Sequence, residues 1–306
     1  MTNVAVVQPG PCRERQTRRA LVAVEARRSL TAPWLWLGMA ATMWFAYSTT
    51  NTTFAGGGYH GLMASFAGVA AGLFVLAVNV GGRDHTTDGP VAPEAAVGAD
   101  DRATGRLLGL WPAVSVAVLF AGAVFAIQRL EGGMRIADWP AGGNQAVYSI
   151  VEMLQPPILF VVAATAGVAL GRASAHRAIV SVAGALVITA TGVLYWAWQW
   201  SPAVWMTLIQ TQPVEVRLGS DFTPDRAPST WMLSAPDRYE STWGRIMVHH
   251  WMAGWHLLYL VGLASVFAGL SIRGRGGRVA IISGSAVVVA AVIGAIVATP
   301  AGVAGA

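Results

Sequence analysis

Apolar residues along this chain gather into seven long stretches, near residues 34–50, 60–81, 108–128, 146–171, 178–200, 248–271 and 279–300, with polar segments between them. A hydrocarbon core of ~30 Å needs about 20 apolar residues per helix, and every stretch approaches or exceeds that length. The pattern predicts an all-α fold, a polytopic transmembrane helical bundle over residues 33–306, preceded by a polar N-terminal segment over 1–32. Two connections are too long for simple turns. Residues 82–107 mix Gly, Pro and charge, and residues 201–247 hold Pro202, Pro213, Pro224, Pro228 and Pro236 among tryptophans. Long connections in compact proteins are commonly functional or disordered. The first reads as a docking surface, and the second as a lid or gate with Trp205, Trp231 and Trp243 as its candidate residues. The spans differ in length and aromatic content and show no internal repeat, which speaks against an inverted-repeat transporter.

Composition agrees with the pattern. Hydrophobic residues make up 55% and charged residues 11% of the chain, whereas a soluble domain carries about 25% charge. All basic residues are arginine, and the pI is near 10. In a chain of this kind basic residues report membrane orientation first, so no nucleic-acid partner is expected. With the N-terminus placed in the cytoplasm, fourteen arginines fall on the inner side and six on the outer, four of the six in the long 201–247 connection. Short basic loops set orientation and long loops count little. The expected topology is therefore a multi-pass protein of the cell membrane, N-terminus inside and C-terminus outside, with 82–107 cytoplasmic and 201–247 external. Tryptophans agree: Trp196, Trp198, Trp200 and Trp205 lie where the fifth span leaves the membrane, and Trp243, Trp251 and Trp255 where the sixth enters. They read as an interfacial belt or as the lining of a path for an amphipathic substrate.

Chemical motifs are few. Cys12 is the single cysteine, which excludes an intrachain disulfide and any multi-cysteine metal site. No G-x-x-x-x-G-K-[ST] loop occurs, so the chain is not expected to be an ATP-hydrolysing enzyme, and no nucleophile-and-base pattern appears. Residues 1–32 lack a short apolar core followed by a small-residue cleavage site, so the first span is expected to act as its own insertion signal. Glu152 is the one acidic residue well inside a predicted span, followed by Gln155, Pro156 and Pro157. An intramembrane carboxylate is a functional candidate facing the bundle interior or a cavity; the alternative is that it lies a turn or two below the outer surface and reaches water. The two prolines predict a bend near residue 156. His249, His250 and His256 cluster at the start of the sixth span, and His60 opens the second. His249 and His256 share a helix face but lie ~10.5 Å apart along the axis, too far to bind one metal ion. A metal would need His60 or a second chain, so no metal and no cofactor is expected. Gly68–Gly72 and Gly167–Gly171 form G-x-x-x-G pairs, read as close helix packing within the chain, with a dimer seam as the alternative.

Four segments together resemble type-2 ABC exporter permeases, especially actinobacterial ones: VEARRSLTAPWLWLG with Glu25, Arg27, Arg28 and Pro33; RDHTTDG from Arg83 to Gly89; LQPPILFVVAATAGVALGR from Leu154 to Arg172; and WHLLYLVGLASVFAGL from Trp255 to Leu270. The resemblance implies an exporter subunit that forms the substrate pathway with a second permease half, in a homo- or heterodimer embedded in the bilayer and driven by a separate ABC ATPase subunit. It implies that Glu25, Arg27 and Arg28 belong to an in-plane connecting segment, that Asp88 and Gly89 touch the ATPase, and that 201–247 is the outer gate. The transport path candidates are then Glu152, Gln155, Pro156 and Pro157. The chain departs from the usual half-permease in having seven predicted spans rather than six. Rival readings are a membrane enzyme or haem, metal or quinone protein built on the outer-side histidines, and a scaffold or sensor that transports nothing.

Overall fold

The computed structural model describes residues 11–50, 57–85, 99–137, 144–146, 148–193, 207–210, 214–217, 232–234, 243–247, 250–272 and 274–298. Helix α1 (Pro11–Thr31) precedes the first apolar stretch and stops at Ala32, because a residue before proline is pushed out of the helical region. Pro33 then opens α2 (Pro33–Thr50), where its missing N–H matters least.

Each of the next three apolar stretches is two helices meeting at one residue. They are α3 (Gly57–Ser65) with α4 (Ala67–Gly81) at Phe66, α5 (Ala99–Gly109) with α6 (Trp111–Leu130) at Leu110, and α7 (Ile150–Met153) with α8 (Gln155–Ala173) at Leu154. The first junction is held by a neighbour: the Thr42 hydroxyl donates to the Ser65 carbonyl at 2.7 Å and accepts from the Val69 N–H at 3.1 Å. At the third, the bend predicted near residue 156 falls at Leu154. Pro156 and Pro157 occupy the first turn of α8, where backbone donors lack intrahelical partners in any case.

A short turn leads from α8 into α9 (Arg177–Val193), and α10 (His250–Ser271) and α11 (Arg275–Ala298) complete the order. The α10–α11 turn uses Gly274 at φ 97°, a left-handed conformation that favours glycine. Among the described residues, five helical segments are long and apolar enough to cross a bilayer: Gly61–Gly81, Asp101–Leu130, Ile150–Ala173, Met252–Ser271 and Arg275–Ala298. The other two apolar stretches hold α2 and α9, described over 18 and 17 residues. The fold is the all-α membrane bundle that the apolar pattern predicts.

Two corrections concern the connections. The 82–107 connection is not a plain loop, since Gly82–His85 forms a 3-10 turn and α5 begins at Ala99. Short strands also stand between helices. Strand β1 (Met134–Ala137) pairs antiparallel with β2 (Asn144–Ala146), and β5 (Trp243–Met247) lies between β3 (Val214–Arg217) and β4 (Met232–Ser234), antiparallel to both.

The core centres on α4, which packs against α2, α8 and α9, while α8 also packs on α10. Both G-x-x-x-G pairs lie in these seams. A side chain at Gly68 would meet Thr42 of α2 at 2.8 Å, and one at Gly167 would meet the Phe74 carbonyl of α4 at 2.6 Å. Small residues let the backbones touch, which is what drives association where lipid is as apolar as the side chains. The α10–α11 hairpin repeats the device. A Cβ at Gly262 would lie 2.9 Å from the Gly284 carbonyl and one at Gly284 2.8 Å from that of Gly262, and Gly269 and Gly277 stand in the same reciprocal relation at 2.6 and 2.7 Å. The paired glycines are seven residues apart on each helix, two turns of one face.

Candidate functional site

At one end of the bundle α1 docks on α5 and α6. Glu25 is buried there at 3% exposure and forms an ion pair with Arg83, whose guanidinium donates directly to its carboxylate; the Arg28 guanidinium approaches at 4.0 Å from one turn on, with its side chain largely in the open. A buried carboxylate needs such partners, because desolvation of an unpaired charge costs far more than a surface bridge returns. Ser29 donates to the Gly109 carbonyl at 3.1 Å, and Gly109 leaves room for the Glu25 stem, since a Cβ there would collide with it. Of the three candidates on α1, then, Glu25 is the buried anchor, Arg28 supports it from the rim, and Arg27 is exposed. Asp88 and Gly89 lie outside the described residues. At the same end the Arg172 guanidinium, in the last turn of α8, donates to the Ser271 carbonyl at the close of α10.

At the opposite end Glu152 has a definite local role. The Ser149 hydroxyl accepts from the Glu152 N–H at 3.3 Å, and the Glu152 carboxylate accepts from the Ser149 N–H at 2.8 Å, a reciprocal capping box at the start of α7. Two backbone donors at the helix entrance are thereby satisfied, and a carboxylate in the first turn also complements the helix dipole. The S-x-x-E spacing of Ser149 and Glu152 is visible in the sequence, and it is the signal that identifies this role. Tyr148 beside it is buried, at 1% exposure. Its ring stacks edge-on against Phe125 at 5.3 Å, and Phe125 in turn meets Phe66 at 5.3 Å.

Next to this cluster the tetrapeptide Thr207–Gln210, part of the long connection between α9 and α10, is folded into the bundle. Gln210 and Ile209 are each 3% exposed. The Gln155 amide donates to the Gln210 side-chain oxygen at 3.1 Å, the His256 Nε2 donates to the Thr207 carbonyl at 2.8 Å, and the Thr207 hydroxyl donates to the Ile209 carbonyl at 3.0 Å. Three buried atoms here have no hydrogen-bond partner: Gln155 Oε1, Gln210 Nε2 and His256 Nδ1. Each such atom costs about 1–3 kcal/mol in desolvation, so the closed arrangement is held by polar contacts that are only half satisfied. A small cavity separates the segment from the helices. Its walls are Met63 and Phe66, then Gln155, Pro156 and Leu159 of α8, and Leu208 and Ile209 of the inserted segment.

The sequence-derived candidates therefore divide. Gln155 and Pro156 line this cavity, whereas Pro157 does not and Glu152 caps α7. Trp205 and Trp231 lie outside the described residues, and Trp243 belongs to β5. Thr207–Gln210 is a described part of the long connection that packs on the bundle. Of the histidines, His256 is buried and bonded to backbone, and His249 lies outside the described residues. Among the described residues no group of three or more His, Cys, Asp or Glu side chains could hold a metal. Comparison with known proteins gives no match: no family model, no curated protein and no solved structure resembles this chain at a significant level.

Proposed function

We propose that this chain is the membrane-spanning permease subunit of an ATP-driven exporter of the type-2 ABC class, working with a second permease half and powered by a separate ATPase subunit on the cytoplasmic face. The reading rests on the resemblance of four sequence segments, and one structural observation supports it. The helix preceding the first span is fastened, through Glu25–Arg83 and Ser29–Gly109, to the segments on either side of the polar connection after the second span. A soluble motor pressing on α1 or on the 82–107 connection would then move α4 and α6 together, since α1 is tied to the end of one and the start of the other. Asp88 and Gly89 fall within the connection that such a motor would grip. In this orientation the Glu25 end is cytoplasmic and Thr207–Gln210 closes the outer end, in the cell membrane with the N-terminus inside.

Affinity purification of the tagged chain from the membranes of its own cells tests the reading directly. A soluble ABC ATPase should co-purify, the chain alone should hydrolyse no ATP, and Arg27→Glu with Arg28→Glu should weaken the association. ATP hydrolysis by the pure chain, or failure of any ATPase to associate, overturns the proposal.

A further inference from the structure

The cavity beneath Thr207–Gln210 has an uneven chemistry. Its walls are carbon from Met63, Phe66, Pro156, Leu159, Leu208 and Ile209, and Gln155 is its single polar side chain; no charged group lines it. Gln155 is nevertheless not satisfied. Its amide nitrogen reaches Gln210, which leaves its own oxygen and the Gln210 nitrogen, one acceptor and one donor on adjoining amides, buried without partners. Exchanging oxygen and nitrogen in both amides leaves one donor and one acceptor unpaired all the same. A hydroxyl or a primary amide offers the matching acceptor and donor at once. An ion meets no counter-charge here and would lose its hydration without compensation.

We propose that this pocket is a binding site for a neutral, largely apolar molecule carrying one hydroxyl or amide group, with Thr207–Gln210 as its cover. The polar head bridges the Gln155 and Gln210 amides, and the apolar body takes the place of Leu208 and Ile209 against Met63, Phe66 and Leu159. Side-chain hydrogen bonds at its two ends, Gln155 to Gln210 and His256 to Thr207, hold the cover to the helices. The site stands apart from the ATP-driven reading, and its test needs no ATPase.

The purified full-length protein in detergent is illuminated with a photoactivatable eight-carbon alcohol, and the labelled residues are located by mass spectrometry. Saturable labelling within Met63, Phe66, Leu159 or Ile209, competed by 1-octanol, is expected. Gln155→Leu and Gln210→Ala should each lower it about fivefold, the effect of one neutral hydrogen bond, and Ser283→Ala on the exposed side of α11 should leave it unchanged. The matching photoactivatable alkane without a hydroxyl should label the unaltered protein about fivefold less, which keeps the test decisive if Gln155→Leu fails to fold. Labelling that does not saturate, that spreads evenly over the exposed faces of α6 and α11, or that ignores the hydroxyl and both glutamines overturns the proposal.

Discussion

Glu25 and Arg83 are 58 residues apart in sequence and meet in an ion pair in which the Glu25 side chain is buried and the Arg83 side chain is 31% exposed. The asymmetry decides how the pair responds to substitution. Arg83→Ala leaves a carboxylate in the interior with only the rim contact from Arg28, whereas Glu25→Gln removes the charge and keeps a hydrogen-bond acceptor for Arg83. Arg83→Ala should therefore destabilise the protein by about 1–3 kcal/mol and Glu25→Gln by less, a ranking that thermal unfolding in detergent can check. Equal losses would mean that the carboxylate already reaches water.

The capping box makes Glu152 a test of two roles at once. Ser149→Ala removes the acceptor for the Glu152 N–H and should cost about 1 kcal/mol. Glu152→Gln keeps an oxygen that can accept from Ser149, so stability should change by only a few tenths of a kcal/mol, while Glu152→Leu loses the return bond and should approach the Ser149→Ala loss. Stability and export, measured at matched membrane levels, separate cap from charge. If Glu152→Gln is as stable and as active as the unaltered protein, the residue is a cap; if it is stable but export falls, the carboxylate also acts on the transported molecule.

How much was legible in the sequence follows from the range of each interaction. The helical character of the apolar stretches could be read because runs of about 20 mostly apolar residues state their burial locally, and the Gly68–Gly72 and Gly167–Gly171 seams because their spacing repeats on one helical face. The Ser149–Glu152 cap was equally local, and it was obscured because an acid in a span reads first as chemistry. The Gln155–Gln210 and His256–Thr207 contacts, separated by 55 and 49 residues, leave no periodic trace. Nor does anything near Gln210 signal insertion: Thr207–Gln210 is too short to show an apolar period, and its neighbours are rich in proline and tryptophan. Glu25 and Arg83 both stand in segments that carry the family resemblance, but their pairing emerges only from the packing of α1 on its neighbours.

The α10–α11 hairpin predicts a sharp contrast between glycines. A Cβ at Gly284 meets the Gly262 carbonyl at 2.8 Å and the Ser265 side chain at 2.9 Å, so Gly284→Ala must push two backbones apart; at Gly276 nothing lies within 4 Å. Gly284→Ala should destabilise by about 1–3 kcal/mol, and Gly284→Leu should detach α11, seen as new protease cleavage near residue 274. Gly276→Ala should be neutral or slightly stabilising. Equal behaviour of Gly284→Ala and Gly276→Ala would show that the hairpin packs less closely than these distances require.

Orientation in the membrane is the prediction on which the reading of both ends depends. Fourteen arginines lie on the side that would be cytoplasmic, among them Arg83, Arg172, Arg177, Arg275 and Arg278, against six on the other. Among the fourteen, Arg83 pairs with Glu25 and Arg172 donates to the Ser271 carbonyl, both at the Glu25 end. With Cys12 replaced by alanine, Thr87→Cys and Ser229→Cys each give a single thiol. In intact cells an impermeant thiol reagent should label position 229 and spare position 87, and permeabilisation should expose position 87. A reporter fused after Ala306 should read as external, because seven spans from an inner N-terminus end outside. Labelling at 87 but not 229 inverts the whole assignment: Glu25 and Arg83 would then face away from any cytoplasmic ATPase, and the Thr207–Gln210 cover would open toward the cytoplasm. A cytoplasmic reporter with the labelling pattern as expected would leave positions 87 and 229 where they are and require that one of the two helices after position 229, α10 or α11, does not cross.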